Sequence, residues 1–121
     1  MKNLINNIAQ VAINKQGGTF RVFDGEPSKN TKGYYVGGSG VCYIIPFEFI
    51  SGAKWLQSLL AKCIPNLKAV GYIGVWYSEE NNAIYIERTD HFENLESAIV
   101  AGLERNQIAI FDIENQKDII L

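Results

Sequence analysis

The chain has a single histidine, His91, and two cysteines, Cys42 and Cys63, in 121 residues. One histidine rules out a multi-histidine metal centre, and carboxylates alone suit only weakly held cations. Both cysteines sit in apolar surroundings, Cys42 beside Tyr43 and Ile44 and Cys63 beside Ile64, so they read as free packed thiols. Basic runs are missing, and only Arg21, Arg88 and Arg105 supply guanidinium groups. With a formal net charge of −2, the broad electrostatic footprint of a nucleic-acid-binding protein is missing too. No stretch approaches the ~18 apolar residues of a membrane span. Asn6, Asn7 and Gln10 interrupt the apolar positions near the N-terminus, which excludes a signal peptide. No metal, cofactor, membrane or nucleic acid is therefore expected, and the expected location is cytoplasmic.

What is present is ordinary globular material, 47% hydrophobic and 20% charged, of a length that suits one domain over residues 1–121. Leu4, Ile5, Ile8, Val11 and Ala12 recur at helical spacing and predict a helix over 3–15, ended by Gly17-Gly18. Thr19 to Phe23, Gly33 to Val36 and Val41 to Ile45 read as strands, the last stopped by Pro46. Ser51 is the expected N-cap of a second helix with Leu56, Leu59, Leu60, Cys63 and Ile64 inward, terminated at Pro65-Asn66. A hairpin follows. Asn94 caps a third helix, expected to turn Leu95, Ala98, Ile99, Gly102 and Leu103 inward and to end at Asn106. Ile108 to Phe111 is a further strand, and Asp118 to Leu121 a short addition. The predicted fold class is α+β: a mainly antiparallel sheet of about five strands with two or three helices packed on it as a two-layer sandwich.

The hairpin from Val70 to Arg88 is the most informative segment. Pairing Ser78 with Ala83 across Glu79-Glu80-Asn81-Asn82 puts Ile73, Val75, Tyr77, Ile84 and Ile86 on one face. Tyr72, Trp76, Tyr85 and Glu87 fall on the other, with Gly74 beside them. The first face is core. The second is an aromatic strip with one acid, and together with Arg88 it forms the expected interaction surface.

Other candidates point to blander roles. Gly37-Gly38-Ser39-Gly40 opens into a strand and lacks the Lys-Ser/Thr pair of a phosphate loop, so it reads as a hairpin connection rather than an anion nest. His91, beside Asp90 and Glu93, reads as a surface residue near a helix start. Asp112 and Glu114 flank Ile113 at strand spacing and read as a solvated edge. No residue is assigned to catalysis.

Leu95 to Asp112, with Ala98-Ile99, Gly102-Leu103-Glu104-Arg105-Asn106-Gln107 and Ile108-Ala109-Ile110-Phe111-Asp112, resembles the helix–strand ending of small uncharacterised bacterial proteins of phages and plasmids. Gly74-Val75-Trp76 and its hairpin look similar as well. The resemblance implies an accessory role on a mobile element and no catalytic residue. On the residues themselves, Arg105 complements the helix C-terminus, and Ile108 and Ile110 are expected to enter the sheet.

The resulting expectation is a small non-catalytic interaction module, acting on a protein partner or as a homodimer through the Tyr72–Trp76–Tyr85 face. Two alternatives stay open. One is a small enzyme or ligand binder with a cleft built from Tyr34, Tyr35, Glu48 and His91. The other is a single-strand nucleic-acid binder stacking bases on the aromatic face with help from Arg88 and Lys68.

Overall fold

The computed structural model describes residues 1–121, leaving aside the side chain of Val41. In chain order the elements are α1 (Lys2–Ile13), β1 (Gly18–Arg21), β2 (Tyr34–Pro46), a 3-10 turn (Phe47–Phe49), α2 (Ala53–Leu67), β3 (Tyr72–Ser78), β4 (Ala83–Phe92), α3 (Leu95–Glu104), β5 (Ala109–Asp112) and β6 (Lys117–Ile120). The strands form one six-stranded sheet in the order β1-β3-β4-β2-β5-β6, antiparallel at every pairing. This is the expected α+β two-layer architecture, with more strands in the sheet than the sequence suggested.

Strand alternation sorts the side chains onto two sides. Phe20, Ile73, Val75, Ile84, Ile86 and Ile45 lie on one side and are buried with Leu4, Ile8, Leu56, Leu60 and Ile64 of α1 and α2. Val36 and Ile110 share that side and are buried with Ala98 and Ala101 of α3. Among the described residues, all three helices therefore cover the same face, and they do so through two separate apolar cores. The opposite face has no helix on it.

The hairpin has the expected register: Ser78 pairs with Ala83, Trp76 with Tyr85 and Gly74 with Glu87. Asn82 takes the left-handed conformation in the turn, at φ 46°. Elsewhere the chain departs from the sequence reading. Gly37-Gly38-Ser39-Gly40 is neither a hairpin connection nor a strand break. β2 runs through it as a wide bulge: from Gly37 to Cys42 it advances five residues while β4 moves only from Thr89 to Glu87. Gly38 and Gly40, at φ 77° and 121°, absorb the extra residues.

The helices show smaller corrections. Gly52, not Ser51, is the N-cap of α2. Burial of Leu67 carries that helix past Pro65 to a left-handed Lys68 at φ 52°. Asn94 does cap α3, its Oδ1 accepting from the Ser97 amide at 3.1 Å. The buried side of α3, however, is Ala98, Ala101 and Gly102, while Leu95 and Leu103 are exposed. The helix lies so close to β5 that a Cβ at Gly102 would press on Ile110, and larger inward residues would not fit. Ile110 enters the second core, but Ile108 is exposed. Asp112, expected at a solvated edge, is buried. Its carboxylate takes hydrogen bonds from the Asn115 amide at 3.2 Å and from Asn115 Nδ2 at 2.8 Å, closing the β5–β6 turn.

Candidate interaction face and the glycine bulge

The helix-free face is built in cross-strand rows. One row reads Trp76, Tyr85, Ile44; the next Thr19, Gly74, Glu87, Cys42; the next Arg21, Tyr72, Thr89, Gly37. Trp76 lies flat on Tyr85 with centroids 4.2 Å apart and planes 14° apart. Trp76 is 44% exposed and Ile44 55%. Asn81 Nδ2 donates to the Tyr85 hydroxyl at 2.9 Å, so the turn fixes the outer end of the stack.

The other end of the face is occupied by the chain itself. Tyr35 packs against Tyr72 and His91, each at a centroid distance of 5.9 Å. Asn30 Nδ2 donates to the Tyr72 hydroxyl at 3.1 Å and to the Tyr35 hydroxyl at 3.3 Å, and Ser28 bonds Tyr35 as well. His91 Nε2 pairs with the Lys32 carbonyl at 2.9 Å. His91 is thus a partly exposed β4 residue shortly before α3, and its ring is tied to the segment between β1 and β2. Tyr72, Trp76, Tyr85 and Glu87 share the face as expected, but Tyr72 belongs to its closed half.

Arg88 does not share it. It pairs with Ile73 and projects to the helix side, so the expected surface loses its cation and the base-stacking alternative loses its Arg88 partner. The four residues of the cleft alternative are not brought together either. Tyr35 and His91 meet on the open face, Tyr34 packs on the second core beneath α3, and Glu48 lies in the 3-10 turn.

Glu87 lies at the middle of the open face, against the bulge. A Cβ at Gly37 would collide with its carboxylate. Burial pushes the Glu87 carboxyl above its ordinary value, while hydrogen bonds from the Cys42 thiol, the Trp76 indole and the Gly38 amide pull it back. The same contact acts on the thiol. Burial, and then the charge of Glu87, push Cys42 up to about 11. The glycine bulge thus packs on one of the chain's own carboxyl groups.

On the other side of the bulge a Cβ at Gly40 would meet the Arg88 guanidinium. Two consecutive side chains of opposite charge therefore pass the same glycine segment on its two sides. Sequence reasoning missed this site, although one signal was present: in β4 the apolar alternation of Ile84 and Ile86 breaks at Arg88 and Asp90 before Phe92 restores it.

Both cysteines are free. Among the described residues, no three His, Cys, Asp or Glu side chains are grouped to hold a metal ion, and no helix is long and apolar enough to cross a membrane. Comparison with protein-family models, with curated proteins and with solved structures finds no match to this chain.

Proposed function

We propose that this chain is a non-catalytic interaction module that pairs with a second copy of itself through the open half of its sheet face. The observation behind this reading is the Trp76–Tyr85 stack, with Trp76 44% exposed and Ile44 next to it 55% exposed, on a face without a helix. Large rings held flat on a sheet lose little side-chain freedom on docking.

A second copy fits better than a charged partner because the face presents little net charge. Glu87 is half-buried and engaged by the bulge, and Arg21 is paired with Asp24. Two identical patches can therefore meet about a two-fold axis without like-charge repulsion. Four strands at ~4.8 Å and about six residues at ~3.3 Å give a plane on the order of 400 Å². A standard interface covers about 800 Å² per partner, so the association is weak and reversible. The accessory role on a mobile element rests only on the resemblance of residues 95–112 and of the Gly74-Val75-Trp76 hairpin.

Sedimentation velocity over a concentration series tests the reading. The native chain should move from monomer towards dimer as concentration rises. Trp76→Ala should stay monomeric, and Val100→Lys, on the exposed side of α3, should behave as the native chain does. A native chain that stays monomeric throughout, or a Trp76→Ala variant that associates equally well, overturns it.

A further inference from the structure

On the helix side of β4 the side chains run Ile84, Ile86, Arg88, Asp90, Phe92, so that two charged residues separate the first apolar core from the second. The two charges fare differently. Asp90 Oδ2 lies 2.8 Å from Arg105 Nη2, and Arg105 also donates to the Val36 carbonyl at 3.2 Å. Arg88 forms no ion pair among the described residues, and its buried Nε has no acceptor among them. Burying a charged donor without an acceptor is unfavourable, and the two Nη groups of the same guanidinium, which are not sealed off as Nε is, are the ones open to a ligand oxygen.

Arg88 lines a cavity of about 190 Å³ together with Ser39, Lys68, Gly71, Thr89 and Asp90. Pockets for drug-sized ligands run to roughly 300–1,000 Å³, so this one suits a single small group rather than a whole nucleotide. Its charges favour an anion. Arg88 and Lys68 are both unpaired among the described residues, while the one carboxylate, Asp90, is offset by Arg105. A planar guanidinium fork beside an ammonium and a hydroxyl is the donor set that recognises a phosphoryl group.

We infer that the cavity between the two cores binds a phosphoryl group, with Arg88 as the fork, Lys68 as the point charge and the Ser39 hydroxyl as a further donor. The cavity is lined by Arg88 and Asp90 from the helix side and by Tyr72 and Thr89 from the closed half of the open face, and neither Trp76 nor Tyr85 borders it. Gly40 is part of its construction, since a side chain there would displace the guanidinium.

The test follows the Arg88 Nε–Hε resonance by NMR at constant ionic strength, titrating with inorganic phosphate in one arm and phosphoserine in the other. A saturable shift with either is expected, and the tighter of the two tells whether the free ion or a phosphomonoester is preferred. Arg88→Met, followed instead through the backbone amides of Ser39 and Thr89 that line the cavity, should abolish binding. Lys68 is exposed, so Lys68→Met leaves the fold in place and should weaken binding about tenfold. Absence of a saturable shift, an equal shift with chloride, or unchanged affinity in Lys68→Met overturns the inference.

Discussion

Glu87 and Arg88 are neighbours on one strand and approach one glycine bulge from opposite sides, yet only the carboxylate finds hydrogen-bond partners there. On the open side the Gly38 amide and the Cys42 thiol of the bulged strand, with the Trp76 indole of β3, partly offset the burial of the Glu87 carboxyl. On the helix side Asp90 is already held by Arg105, and the buried Arg88 Nε has no partner among the described residues. Strand alternation alone decides which neighbour meets which surroundings. The bulge thus closes one site and leaves the other ready for something outside the chain.

The largest effect expected from this asymmetry is on Cys42. A thiol at about 11 is only about a thousandth thiolate near pH ~8, against about a tenth for one at its ordinary value. Alkylation of Cys42 should therefore run about a hundredfold slower than for an exposed thiol. Glu87→Gln removes the nearby charge and should speed it, while leaving Cys63, whose thiol is raised by burial alone, at its native rate. Peptide mapping after timed iodoacetamide treatment measures both sites in one experiment. An unchanged Cys42 rate in Glu87→Gln would show that the thiol and the carboxylate are not coupled.

Stability separates the two sides next. Glu87→Ala strands the Gly38 amide and the Trp76 indole and should cost about 1–3 kcal/mol. Arg88→Met keeps the stem and discards the unpaired charge. In phosphate-free buffer it should stay within about 1 kcal/mol of the native chain or exceed it. Urea unfolding with matched slopes reads both. Equal losses from the two substitutions would mean that Arg88 has a partner after all, and the comparison would collapse.

How far the sequence could disclose this depends on the range of the interaction. The hairpin was legible because a short turn and two strictly alternating faces leave one register, and that register places Trp76 on Tyr85. α3 was legible as a helix through Asn94, but its inward side was not. Residue size suggested Leu95 and Leu103, whereas a close approach to β5 selects Ala98, Ala101 and Gly102. The glycine segment misled for a related reason. Its glycines mark a chain break by local rules, but here they make room for Glu87 and Arg88, which lie more than forty residues away in sequence. The partnership of Asp90 with Arg105, which leaves Arg88 unpaired, likewise depends on how α3 sits on the sheet, and no local spacing encodes it.

The smallest effect sharpens the Glu87 side through pH. Its folded carboxyl lies above the ordinary 4.5, so the native state takes up a proton before the unfolded chain does. That raises stability as pH falls from neutral towards the ordinary value. Asp24 and Asp112 act in the opposite sense. At Asp24 desolvation is outweighed by the Glu26 amide and the Arg21 guanidinium, and at Asp112 the Asn115 side chain leads. Both lie below the ordinary 3.8, so their contribution is lost as pH falls beneath that value. The native chain should therefore be most stable in mildly acidic solution, with a decline on either side. Glu87→Gln should lose the decline on the neutral side and keep the acid one, because only the first arises from the carboxylate in the bulge. Thermal melts across that range decide it, and a variant whose profile matches the native one would place the titrating group elsewhere.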